Sequence, residues 1–215
     1  MNSYENKKPG FFKNNPVLGL SLGLTTALAV TTSLTSAVGM GIIVMLLLYV
    51  TSILCGLVKK VVSGPFTLPV NLVIIAFLVK MTELLVMAYA PTISDGVGIF
   101  LPLLVSSSLL LFGAGTFNKE EDSVGNLLGV TIKAGLSYFF AIVLVALIRE
   151  ILGTGGITFV DPFSGSTLFS FTLIPTDYIL NLFVQPAGAL IVVGLVAALF
   201  AAIGNVKKAP VKGGK

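Results

Sequence analysis

VGMGIIVMLLLYVTSILCGLV, residues 38–58, contains no charged side chain over 21 positions and is closed by Lys59 and Lys60. A helix of that length covers about 30 Å, the thickness of a bilayer's hydrocarbon core. The rest of the chain resembles this stretch. Of 215 residues, 55% are hydrophobic and 10% charged, where an ordinary globular chain carries about 25% charge. Too few polar residues exist to coat a water-facing surface, so lipid is the main solvent for this chain. The formal charge of +4 sits in the tails and short turns. It forms no stripe interleaved with aromatics, which nucleic-acid binding requires. One cysteine, Cys55, cannot close an internal disulfide, and the chain has no histidine to ligate a metal.

Outward from this run the chain alternates apolar segments with polar punctuation. Residues 1–15 form a polar tail with Lys7, Lys8 and Lys13, and Pro16 opens an apolar segment reaching Ala37. A cleaved signal peptide is the competing reading of that start. The apolar character resumes at once in Val38, which argues against cleavage. Beyond Ser63, Gly64 and Pro65 comes a third segment, Leu68 to Ala90, then PTISDG as a turn, then a fourth segment ending near Thr116. Residues 16–117 thus hold four segments. Residues 118–123, with Lys119, Glu120, Glu121 and Asp122, are a solvated connection that no bilayer interior tolerates.

Residues 124–204 hold the fifth and sixth segments. The fifth, Val124 to Leu152, is long for one crossing and must tilt or protrude. Residues 153–182 form the longest loop, whose Phe159, Phe163, Phe169, Phe171 and Tyr178 suit a membrane interface. The last span runs from about Phe183 to Ile203, and residues 205–215 are a lysine-bearing tail. With six spans, ten of the thirteen basic residues fall on one side. The positive-inside rule makes that side cytoplasmic, with both termini on it and the 153–182 loop outside.

Two segments differ from lipid-facing helices. GLSLGLTTALAVTTSLTSA in the first and GIFLPLLVSSSLLLFGAGT in the fourth join short apolar runs to glycines and hydroxyl residues. Small residues of this kind permit close helix packing. Interrupted segments at corresponding places in two halves also point to an inverted repeat with a midplane site. The fold class expected is therefore all-α: a polytopic membrane protein of about six helices in two inverted three-helix repeats, with the first and fourth segments interrupted. Candidate intramembrane charges are Lys80, Glu83, Lys133, Arg149 and Glu150. Lys80 and Glu83 share one helical face, as a structural ion pair or as part of an ion path. Lys133 can snorkel to the cytoplasmic surface. Arg149 and Glu150, near the far end of the fifth segment, read as interfacial anchors.

NPVLGLSLGLTTALAVTTSL, LPVNLVIIAFLVKMTELLVMAYAP, GIFLPLLVSSSLLLFGAG, LVALIREILGTG and QPAGALIVVGLVAAL, in this order and spacing, resemble the small membrane subunits shared by Rnf complexes and sodium-pumping NADH:quinone oxidoreductases. The IREILG run and the last helix are more similar to the RnfE/NqrD branch than to the RnfA/NqrE branch. The resemblance implies a six-helix subunit paired with a sister subunit of opposite orientation. It also implies a membrane [2Fe-2S] cluster held by two cysteines from each subunit. Here those cysteine positions are Thr25 and Ser108, and neither hydroxyl substitutes for a thiolate on iron. The expectation is a membrane subunit of an ion-translocating electron-transport complex whose iron–sulfur centres and flavins belong to other subunits. The alternative is a non-redox transporter or scaffold built on the same fold. Either way, Thr25 and Ser108 are expected to approach one another near the midplane.

Overall fold

The structure, a computed structural model, describes residues 23–62, 64–115, 124–161, 165–172 and 181–206. The expected tails and the 118–123 connection lie outside these residues. Helix α1 spans Leu24–Val30 and α2 spans Leu34–Val58. Helix α3 covers Thr67–Tyr89, and α4 covers Pro91–Val97. Two 3-10 turns, Gly98–Phe100 and Pro102–Ser106, lead to α5, Ser108–Gly113. Helix α6 runs from Val124 to Thr154, and α7 from Pro186 to Val206. Between them strands β1, Gly156–Val160, and β2, Thr167–Thr172, pair antiparallel.

Among the described residues, three helical stretches are long and apolar enough to cross a membrane: Leu34–Val58, Gly64–Tyr89 and Leu128–Thr154. The apolar stretch Pro186–Leu199 is shorter. The core forms chiefly where α2 packs along α6. On α2, Met40, Val44, Leu47, Leu48, Thr51 and Cys55 recur every three or four residues and are buried, the spacing of one helical face. From α6, Tyr138, Ala141, Ile142 and Ala146 meet them, while Val145 packs with Val192, Val193 and Val196 of α7. The helices approach closely because Gly41 leaves room for Phe139, whose Cδ2 would lie 2.7 Å from a methyl group placed there. Among the described residues only Asn71, Ile75 and Val79 of α3 are fully buried, a narrow i, i+4, i+8 stripe flanked by half-buried Ile74, Leu78 and Val86, and about half of the helix is exposed.

Three expectations change. The molecule is mostly helical, but the 153–182 loop contains the β1–β2 hairpin. Gly155, at φ 76°, ends α6 in the left-handed region that suits glycine. TLFSFT then supplies β-branched and aromatic residues, with FSFT alternating at the period of a strand. PTISDG is no turn but most of α4, because proline is pre-organised for the first helical position. For the same reason α7 begins at Pro186 rather than at Phe183. The fifth segment is one helix of 31 residues, about 46 Å long, in keeping with its expected tilt or protrusion.

Candidate functional site

The first and fourth segments are both broken. In the first, α1 stops at Val30 and α2 restarts at Leu34, where the Ser33 hydroxyl accepts from the Ser36 amide. In the fourth, Ser107 turns to φ −68°, ψ 123° between the 3-10 turn and α5. The start of α1 lies against the start of α5. A methyl group on Gly23, itself at φ 74°, would sit 3.4 Å from Leu109 Cδ2 and 3.3 Å from Tyr138 Cε2. Thr26 adds a polar tie: its hydroxyl donates to the Gly23 carbonyl at 2.8 Å, so the Tyr138 hydroxyl, 2.9 Å away, donates to it. Thr25 is exposed and Ser108 half-buried on the chain taken alone. The Thr25 hydroxyl is therefore not enclosed by this chain's own packing.

The strongest polar constellation is one that the sequence places but does not rank. Arg149 and Glu150, expected at the far end of the fifth segment, are enclosed by the chain itself, 1% and 2% exposed. Arg149 uses all five of its N–H groups. Nη1 donates to the Leu28 carbonyl at 3.1 Å and to Thr31 Oγ1 at 2.5 Å. Nε donates to the Phe183 carbonyl at 3.0 Å, and Nη2 to the Val184 and Gln185 carbonyls at 3.0 and 3.3 Å. The guanidinium thus meets the carbonyl end of α1 and the irregular backbone before α7. A carbonyl-rich helix end carries partial negative charge and favours a cation.

Glu150 does the converse. Its Oε2 accepts from the Leu34 amide at 2.7 Å, the first residue of α2, where free amides favour an anion. Its Oε1 accepts from the Thr158 amide and hydroxyl at 2.7 and 2.8 Å. Thr35 Oγ1 accepts from the Val160 amide at 3.0 Å. Two consecutive residues of α6 therefore hold both sides of the α1/α2 break, the entry to α7 and the root of the hairpin.

The other candidate charges are placed apart from this hub. Lys80 and Glu83 form the expected ion pair on α3, Nζ to Oε2 3.1 Å, with side chains 64% and 14% exposed. Lys133 is exposed on α6. Glu83 also lines a cleft of about 440 Å³ with Met87, Ser94, Asp95, Gly98, Leu101 and Pro102. Asp95 belongs to PTISDG, whose turn-like composition conceals a carboxylate facing a cleft. Cys55 is buried in α2, 21 residues beyond Leu34, about 30 Å along the helix axis from the first break. A [2Fe-2S] centre needs several thiolates. Two hydroxyls at the starts of α1 and α5 and one thiol a bilayer's thickness from the first break do not fit one. Among the described residues no three Cys, His, Asp or Glu side chains converge on a metal position.

Apolar helices interrupted in the first and fourth segments, with a buried arginine–glutamate hub at the first interruption, define a membrane protein with irregular backbone inside its packed interior. The family model for the Rnf-Nqr subunit, a membrane protein, matches residues 5–197, and the chain belongs to that family. It is 37% identical over 195 residues to the E subunit of the ion-translocating oxidoreductase complex of Shewanella oneidensis, covering 88% of this chain and 83% of that protein. It is 33% identical over 203 residues to the E subunit of the Na(+)-translocating ferredoxin:NAD(+) oxidoreductase complex of Acetobacterium woodii, covering 93% and 96%.

Proposed function

We propose that this chain is a membrane subunit of an Rnf/Nqr-type ion-translocating electron-transport complex that works without a [2Fe-2S] cluster of its own. The observation that carries this reading is the interruption of both the first and the fourth segments in a chain of this family, with Thr25 and Ser108 where the resemblance expects cysteines. In this reading six spans form two inverted three-segment repeats. The broken α1/α2 followed by α3, and the broken α4/α5 followed by α6 and α7, support that division. The protein sits in the inner or plasma membrane as a multi-pass subunit, with residues 1–15, 118–123 and 205–215 cytoplasmic and the 153–182 loop outside. Lysine placement supports this orientation. Its partners are a sister subunit of opposite orientation, similar to RnfA or NqrE, and the subunits that bear iron–sulfur centres and flavins.

The chain's own residues supply architecture. Arg149 and Glu150 hold the broken backbone in place, and the breaks free main-chain polar groups inside the membrane, where irregular backbone serves transport sites. The missing thiols favour a second reading, a transporter or scaffold that retains the fold without electron transfer. Affinity purification from native membranes separates the two. The first reading expects flavin-bearing and ferredoxin-like subunits in the eluate. It also expects no stoichiometric iron and acid-labile sulfide, and no cluster resonance, on the isolated chain. Recovery without redox subunits establishes the second reading, and a cluster ligated by the isolated chain overturns both.

A further inference from the structure

Helix α3 carries an unresolved electrostatic problem. Of the three long apolar stretches it is the least covered: 17% of its most apolar window is buried, against 50% for each of the others. Val73, Phe77, Lys80, Leu84 and Met87 are all exposed and follow one another at steps of four, three, four and three. That spacing makes a single seam of the kind that packs against another helix at a shallow crossing angle. Lys80 lies at its middle, two residues from the centre of the Thr67–Tyr89 helix, or about 3 Å along the axis.

An ammonium at that depth cannot face hydrocarbon without a large penalty. Nor can it escape by snorkelling. Tyr89, at the nearer helix end, is nine residues away, about 13 Å, and a lysine side chain reaches about half that distance. Its one hydrogen bond is to Glu83 Oε2, which leaves two of its three donors unused among the described residues. The pair is already neutral, so a partner carboxylate would add uncompensated charge. A second copy of the chain related by a two-fold along the membrane normal would set Lys80 against Lys80. Glu83 and Met87 line the cleft beside Asp95, but Lys80 is not among its lining residues, so that cleft does not solvate the ammonium.

We infer that the α3 seam docks a transmembrane helix of another subunit, one that presents uncharged oxygen acceptors to Lys80 at mid-membrane depth. Hydroxyl or amide side chains, or carbonyls freed at a helix break, have the required chemistry. This deepens the complex-subunit reading and rests on it.

The test is photocrosslinking in the intact complex, purified from native membranes into nanodiscs, with benzoylphenylalanine placed at Phe77 or Leu84. Both positions are expected to give adducts with one and the same apolar segment of another subunit, with a Ser, Thr, Asn, Gln or helix-breaking residue within a turn of the adduct. Lys80→Leu is expected to leave the chain folded, since Lys80 lies outside the core. The same change is expected to reduce recovery of the partner subunit about tenfold, the scale of one lost charge-assisted hydrogen bond, while Lys80→Arg retains it. Adducts with lipid or with a second copy, in a complex that is otherwise intact, overturn this inference alone. So does undiminished partner recovery with Lys80→Leu. A wild-type chain recovered without any other subunit overturns the complex-subunit reading and this inference with it.

Discussion

Replacing Arg149 with methionine is the most informative single change in the protein. The substitution keeps much of the side chain's length and removes five hydrogen bonds to four carbonyls and one hydroxyl. Gln185 O keeps the Ala189 amide as a second partner, so three carbonyls, at Leu28, Phe183 and Val184, bear most of the loss. A buried acceptor left unpaired costs about 1–3 kcal/mol. Phe183 and Val184 are partly open on their outer side, so water can replace some of what is lost, which favours the low end for each. The sum is about 3–5 kcal/mol, the range found when one side of a buried charged network is removed. For a chain of this length about 1 kcal/mol shifts the unfolding midpoint by roughly 2–4 °C, so Arg149→Met should lower it by about 10 °C. The single, fully buried Cys55 provides the assay. A thiol-reactive fluorogenic dye stays dark until the core opens, and its signal against temperature in detergent reports unfolding. Arg149→Lys should fall between the two, because one ammonium cannot span acceptors on both sides of a planar fork. A midpoint for Arg149→Met within about 2 °C of wild type, below the effect of a single net hydrogen bond, would refute the clamp.

Glu150→Gln should destabilise by about 1–3 kcal/mol in the same assay, because the amide NH2 must face either the Leu34 amide or the Thr158 donors; an unchanged midpoint counts against the acceptor role. In a Cys55→Ser background, Phe169→Cys on the exposed strand β2 should react with an impermeant maleimide only from the outer side of sealed vesicles or cells. Labelling only from the cytoplasmic side would invert the proposed topology. In the same background, Thr25→Cys with Ser108→Cys should be joined by a short bifunctional reagent, since the neighbouring Gly23 and Leu109 already touch. Two reactive thiols that are never joined would separate the hydroxyl positions although the segments adjoin.

Local physics decides which features can be read in the sequence. Residues 38–58 and 68–90 declare themselves by length and absence of central turn signals, and the helices α2 and α3 form over them. The break before Leu34 is legible as a collapse of apolar character into Thr31, Thr32 and Ser33. The hairpin escapes notice although FSFT alternates, because glycines and prolines around it read more strongly as loop. Arg149 and Glu150 look interfacial in sequence because their partners are remote: Thr31 is 118 residues away from the guanidinium, and Leu34 is 116 from the carboxylate. Burial of a charge depends on where such distant backbone groups end up, and no window along the sequence contains both. Asp95 is hidden because the turn-like composition of PTISDG masks the helix that carries it to a cleft shared with Glu83.

The Arg149 clamp also imposes an order on biogenesis. Two of its five acceptors, at Leu28 and Thr31, precede it in the chain, and three, at Phe183, Val184 and Gln185, follow it. A ribosome delivers α6 and its guanidinium before the residues that complete its coordination exist. Until position 185 has emerged, the guanidinium has only its Leu28 and Thr31 acceptors, and the entry to α7 is not yet held. Closure of the molecule is therefore tied to the synthesis of its last helix, and a chain truncated before α7 would carry an unsatisfied cation by which quality-control proteases could distinguish it from the finished protein.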